Sequence, residues 1–178
     1  MKTLSALTVI SLTLALSGTL FAAANSSESP PNDAQIAMIA VVADQVDIDV
    51  GKLATEKASD PKVKEFGELM VRDHTSVNQQ ASALAKKLNL TPESSATSKA
   101  LREGGDKNLA KLQKMSGAAF DKAYVDHEVA YHEQVLDAVD KTLIPNAKNA
   151  ELKQLLESAR PVFVSHLEHA KKLQASMH

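Results

Sequence analysis

The sequence predicts an all-α protein, a four-helix bundle of two antiparallel hairpins joined by one long crossover. Three observations lead there. Four segments carry apolar stripes whose members lie three and four residues apart, the spacing that gathers side chains on one face of an α-helix. Two of the breaks between these segments are short and carry proline, whereas the middle one, residues 90–116, is 27 residues long. No stretch alternates apolar and polar residues as a half-buried strand does.

The first helix is expected from Asp33, a capping residue, to about Ser59. Its stripe is Ile36, Ala40, Ala43, Asp47, Val50 and Ala54, and Asp47 alone interrupts it. Asp44 and Asp49 fall off this seam and are expected in solvent. Gly51 lowers helix propensity and permits a neighbour to come close. Asp60-Pro61 marks a boundary, since Asp caps and Pro suits a first helical turn. So short a break predicts an antiparallel hairpin.

The second helix, Pro61 to about Asn89, has the stripe Val63, Gly67, Met70, His74, Val77, Ala81, Leu84 and Leu88. Residues 90–116 read as irregular. Gly104-Gly105 should break any helix there, and Asp106 should cap a short one carrying Leu109, Leu112 and Met115. A partly helical segment of this size can cross a bundle about 39 Å long. The third helix, about Ala118 to Leu143, has the stripe Val125, Val129, His132, Leu136, Val139 and Leu143, and Ile144-Pro145-Asn146 ends it. The fourth begins near Asn149 and carries Leu152, Leu156, Ala159, Phe163, His166, Ala170 and Leu173, with Pro161 expected to kink it. Two hairpins and one crossover make the ferritin-like plan; a plain up-down-up-down bundle is the alternative.

Ahead of the domain, Lys2 is the only charge before Glu28, an apolar run extends from Leu4 to Phe21, and Ala22-Ala23-Ala24 offers small residues for cleavage. Residues 1–24 therefore read as a secretory signal peptide, with a membrane anchor as the other reading. Residues 25–32 read as a disordered tether and residues 33–176 as the bundle domain. Removing Lys2 with the leader takes the formal charge from −2 to −3. With no basic patch, no Trp and few other aromatics, nucleic acid is not an expected partner. No apolar stretch after the leader is long enough for a transmembrane helix. The absence of cysteine rules out disulfides and thiol nucleophiles. A homo-oligomer and unidentified envelope partners stay open.

Four polar residues interrupt four stripes at one depth. Asp47 and His74 lie 13 and 14 residues from the turn near residue 60; His132 and His166 lie 16 and 18 from the turn near residue 148. Each pair is level to within about 3 Å along the axis. Burying an Asp and three His costs several kcal/mol unless they satisfy one another or hold an ion. The candidate site is therefore Asp47, His74, His132 and His166, with Glu128, one turn before His132, as a further ligand. Three imidazoles and a carboxylate suit one divalent transition metal, zinc, copper or a single iron. A carboxylate-bridged iron pair fits less well, because Val71, Val129 and Phe163 occupy the positions three before each His. Affinity is expected to fall as pH drops through the ordinary His range near ~6.5. A hydrogen-bonded cluster that only fixes helix register is the other reading. Asp73 is rotated off the seam toward a neighbouring helix or solvent. His127, His169 and His178 are expected at the surface, and Tyr124 and Tyr131 at the core edge.

The chain resembles a family of secreted bacterial ferritin-like proteins catalogued as domain of unknown function 4142. The likeness rests on Asp47-Ile48-Asp49-Val50-Gly51-Lys52-Leu53-Ala54, on Val71-Arg72-Asp73-His74, on Gly117 to Tyr124 followed by His132, and on Arg160-Pro161 followed by His166. It departs at Asp47, where the family pattern usually has Glu, and at Arg160, where it has Leu. The resemblance implies a ferritin-like bundle in the periplasm or outer envelope and implies no reaction. Two functions remain: a periplasmic metal-binding bundle of unknown reaction, or a non-catalytic envelope stress or interaction protein. There is no Gly-rich phosphate loop and no recognisable Ser/His/Asp spacing.

Overall fold

The computed structural model describes residues 29–177. The predicted leader, the first part of the tether and His178 lie outside the described residues. The described chain is all-helical: α1 Asp33–Lys57, α2 Pro61–Lys87, α3 Ala96–Gln113, α4 Gly117–Ala138, α5 Ile144–Asn146 and α6 Ala150–Ala175, with a π-helical turn at Val139–Leu143 joining α4 to α5. No helix among the described residues is long and apolar enough to cross a membrane.

The helix starts follow from their caps. Asn32, rather than Asp33, caps α1, in a reciprocal box with Gln35. Asp33 instead accepts hydrogen bonds from the backbone N–H groups of Lys148 (2.8 Å) and Asn149 (2.9 Å), which ties the start of α6 to the start of α1. Asp60 caps α2 ahead of Pro61, as the sequence indicates. At the end of α4 the amide of Ile144 donates to the carbonyl of Val139, five residues back. Pro145 cannot donate, and its ring would meet a carbonyl four residues earlier in a regular α-helix; the wider turn relieves that clash. Helix α6 continues through Pro161 to Ala175.

Hydrogen bonds at the two ends set the helix directions. The Asp121 carboxylate, at the start of α4, accepts from Ser59 N (3.0 Å), Asp60 N (2.9 Å) and the Ser59 hydroxyl, all in the α1–α2 turn. At the opposite end Glu93 N donates to Ala34 O (3.0 Å) and Lys87 pairs with Glu151. Helices α1, α3 and α6 thus run one way, and α2 and α4 the other. Helix α1 lies against α2, α3 and α4, while α6 lies against α4 and α2.

The segment predicted to be irregular is the main correction. Gly104 and Gly105 lie inside α3, an unbroken helix capped by Ser95 and Ser98, and Asp106 caps nothing. The reason is tertiary. Gly105 is buried against α1, where a Cβ would come within 2.5 Å of Cγ2 of Val46. Close packing at that point outweighs a propensity cost of about 1 kcal/mol. A similar approach joins α1 to α2, because a Cβ on Gly51 would meet the carbonyl oxygen of Gly67 at 3.0 Å.

The apolar core is in two parts. One, toward the Asp33 end, includes Ile36, Val46, Tyr131, Val135, Leu152 and Phe163. The other, toward the Asp121 end, includes Val50, Phe66, Met70, Phe120, Tyr124 and Leu173. The polar residues predicted for the middle of each stripe lie between them.

Candidate metal centre

All five sequence-predicted residues are buried together. Asp47, His74, His132, His166 and Glu128 are each no more than 2% exposed. They come from four helices, α1, α2, α4 and α6, as the stripe positions require. The rings of His74, His132 and His166 form a near-equilateral triangle, with centroids 5.6, 5.2 and 5.4 Å apart. One candidate ligand atom from each lies within 4.8 Å of the others, and the same holds for Asp47, Glu128 and His132. His132 belongs to both groups, so the two triads form one continuous cluster.

Each imidazole is held through one nitrogen. Nδ1 of His74 is 2.7 Å from Oδ1 of Asp44, Nδ1 of His132 is 3.0 Å from the Glu128 carbonyl oxygen, and Nε2 of His166 is 3.0 Å from Oδ2 of Asp73. A carboxylate or carbonyl at that place accepts the ring N–H and leaves the second nitrogen with its lone pair. Those second nitrogens, Nε2 of His74, Nε2 of His132 and Nδ1 of His166, have no hydrogen-bond partner among the described residues. Nor do Oδ1 of Asp47, Oδ2 of Asp44 or either carboxylate oxygen of Glu128. Asp47 Oδ2 and His74 Nε2 are 3.5 Å apart, beyond a good hydrogen bond.

Electrostatics point the same way. Burial, reinforced by the His132 ring, lowers His74 to about 3. Burial lowers His166 to about 4, against the pull of its hydrogen bond to Asp73. Burial, then the neighbouring Glu128 and Asp44 carboxylates, pushes Asp47 well above the usual range. Burial raises Asp44 too, with His132 opposing. His74 and His166 are thus neutral near pH 7, as ligands must be, while Asp47 is crowded by the Glu128 and Asp44 carboxylates. A cation placed among them would meet lone pairs and relieve that crowding. The orphaned atoms and this donor set fit a divalent metal.

Three expectations are corrected here. Asp44 is not in solvent: it is buried and hydrogen-bonded to His74. His127 is not at the surface; it is half-buried, stacks on Tyr131, and burial lowers its pKa. Tyr124 and Tyr131 are core residues, and the Tyr131 hydroxyl donates to the Ala43 carbonyl at 3.1 Å, joining α4 to α1. Asp49 is half-buried and pairs with Arg102 of α3 at 3.1 Å. Asp73 does meet a neighbouring helix, through His166 on α6, and His169 is exposed. The signal for Asp44 was available, since it lies three residues before Asp47 and so shares its helix face.

A family model described as "Domain of unknown function (DUF4142)" matches residues 19–173. No curated protein and no solved structure shows a significant match. With nearly the whole chain matched, and the buried His/Asp layer falling within the matched span, this protein belongs to the DUF4142 family.

Proposed function

We propose that the protein is a ferritin-like four-helix bundle, with α3 as its crossover, that binds one divalent transition metal at His74, His132 and His166. Asp47 and Glu128 complete the ligand set. The observation that carries this reading is the state of the three rings, which lie in one buried cluster: one nitrogen of each is paired with a carboxylate or carbonyl oxygen, and the other has no hydrogen-bond partner. A cluster that served only to fix helix register would be expected to satisfy its own polar atoms. Zinc, copper and iron all suit this donor set. We further propose export to the periplasm or outer envelope, which rests on the leader-like residues 1–24. The mature chain should then begin at Asn25, as mass spectrometry of an envelope extract would read; an intact leader in a membrane fraction would contradict export.

The metal reading is tested by titrating zinc and copper into stripped protein while following thermal stability. Binding to the folded state alone should add about 2.7 kcal/mol at a hundredfold excess over the dissociation constant. His74→Leu and His132→Leu should each lose that gain. If nothing binds and both variants are more stable than wild type, the register role of the envelope interaction protein is correct.

A further inference from the structure

A metal centre closed off from solvent needs a way in. The acceptors that hold the three rings differ in how far they reach toward the surface. Asp44, on His74, is buried, and so is Glu128, whose carbonyl oxygen holds His132. Asp73, on His166, is different: its side chain is 23% exposed, against 2% for the ring it holds. Of the three ring partners, Asp73 is therefore the one through which the centre meets solvent.

The two oxygens of Asp73 have different partners. Oδ2 lies 3.0 Å from Nε2 of His166, on α6. Oδ1 accepts from Nε of Arg72 at 2.9 Å. The Arg72 side chain is 71% exposed. One carboxylate thus joins a buried candidate ligand to a solvated guanidinium. The sequence places it so because successive residues are turned about 100° around a helix. His74 takes the inner stripe of α2, and Asp73 beside it reaches α6.

This arrangement has the parts that an entering ion needs. A hydrated divalent cation exchanges its first waters for anionic oxygen, and a carboxylate supplies it. The Arg72 guanidinium occupies one such oxygen and repels an incoming cation, so it must move aside first. Ion pairs between exposed side chains are weak, and the long Arg72 side chain can swing into water. From Asp73 the next donor inward is the imidazole of His166, which forms a triad with His74 and His132.

We propose that Asp73 is the port of the metal centre: a divalent ion is captured by its carboxylate and passes to His166, and Arg72 is a latch that slows entry and escape alike. This role for Asp73 rests on the metal-binding reading of the three histidines, and goes beyond orienting one of them.

The test is stopped-flow mixing of metal-free mature protein with zinc, for the uptake rate, and of the loaded protein with excess chelator, for the release rate. Asp73→Asn keeps the size of the side chain and an acceptor for the His166 N–H. It should slow uptake at least tenfold. A carboxylate that merely oriented a ligand would show its loss in the release rate, with uptake unchanged. Asp44→Asn, at the buried counterpart on His74, should show that second pattern. Asp137→Asn, which removes an equal charge from an exposed position elsewhere on the surface, should leave both rates as in wild type. Arg72→Ala, at an exposed position, should raise uptake and release together several-fold while leaving the equilibrium affinity within about twofold of wild type. Wild-type uptake in Asp73→Asn, or slowing no greater than in Asp137→Asn, would overturn the port. Unchanged rates in Arg72→Ala would overturn the latch. Absence of zinc binding to wild type would instead overturn the metal reading itself, so the two failures are distinguishable.

Discussion

Oδ1 of Asp44 lies 2.7 Å from Nδ1 of His74, with both side chains buried. With the Asp44 carboxylate accepting from Nδ1–H, the lone pair of His74 lies on Nε2, which has no hydrogen-bond partner. Removing the carboxylate should leave the ring free to rotate or to change tautomer. Asp44→Ala is predicted to weaken zinc binding by about 10- to 100-fold. Asp44→Asn, whose amide oxygen can still accept from Nδ1–H, should weaken it less. Competition titration with a zinc indicator measures both; wild-type affinity in Asp44→Ala would show that the contact does not orient a ligand.

The buried rings also change the expected pH dependence. Ordinary histidines would release metal as pH falls through ~6.5. Here burial holds His74 near about 3 and His166 near about 4. In the folded protein these imidazoles therefore stay neutral, and available to metal, well below pH 6. Zinc affinity should change little on their account between pH 7 and pH 5.5. A tenfold or greater loss on going from pH 7 to pH 6, abolished in His169→Leu, would instead place the metal on an exposed histidine.

Folding stability of the metal-free chain responds to the same shifts. The unfolded chain protonates these two histidines near ~6.5, whereas the folded chain resists until about 4 and about 3. Stability from their neutral forms is complete above that upper value and is lost as pH falls toward the lower ones. Asp44 and Asp47, whose pKa values are raised, act in the opposite sense. Their protonated forms stabilise below the usual carboxylate range, and that contribution is lost as pH rises through the raised values. Urea denaturation in chelator should show His166→Leu losing less stability than wild type between pH 6.5 and pH 4.5. Parallel losses would mean that His166 is not held neutral.

The part of the fold legible in the sequence was the part set by single-helix periodicity. Stripe spacing placed Asp47, His74, His132 and His166 at one depth, and the structure brings their side chains together. Glu128 was found by the same i, i+4 logic from His132. Asp44 was missed because a narrow 4–3 seam excludes the residue at i−3, which a wider apolar face includes. Helix α3 was missed because glycine propensity is a local quantity, while Gly105 is decided by its contact with Val46, 59 residues away in the chain. The α1 cap was displaced by one residue because Asn32 and Asp33 both cap well, and only the contact of Asp33 with Lys148 and Asn149 separates them.

The central claim is that three imidazoles from α2, α4 and α6 hold one metal ion. X-ray absorption at the metal edge of the mature protein, loaded with one equivalent of zinc or copper, tests it most directly. The account predicts three imidazole ligands with metal–nitrogen distances near ~2.0–2.1 Å for zinc, falling by one in His132→Leu. An imidazole count that is unchanged in His132→Leu, or a shell of oxygen ligands alone, would contradict it.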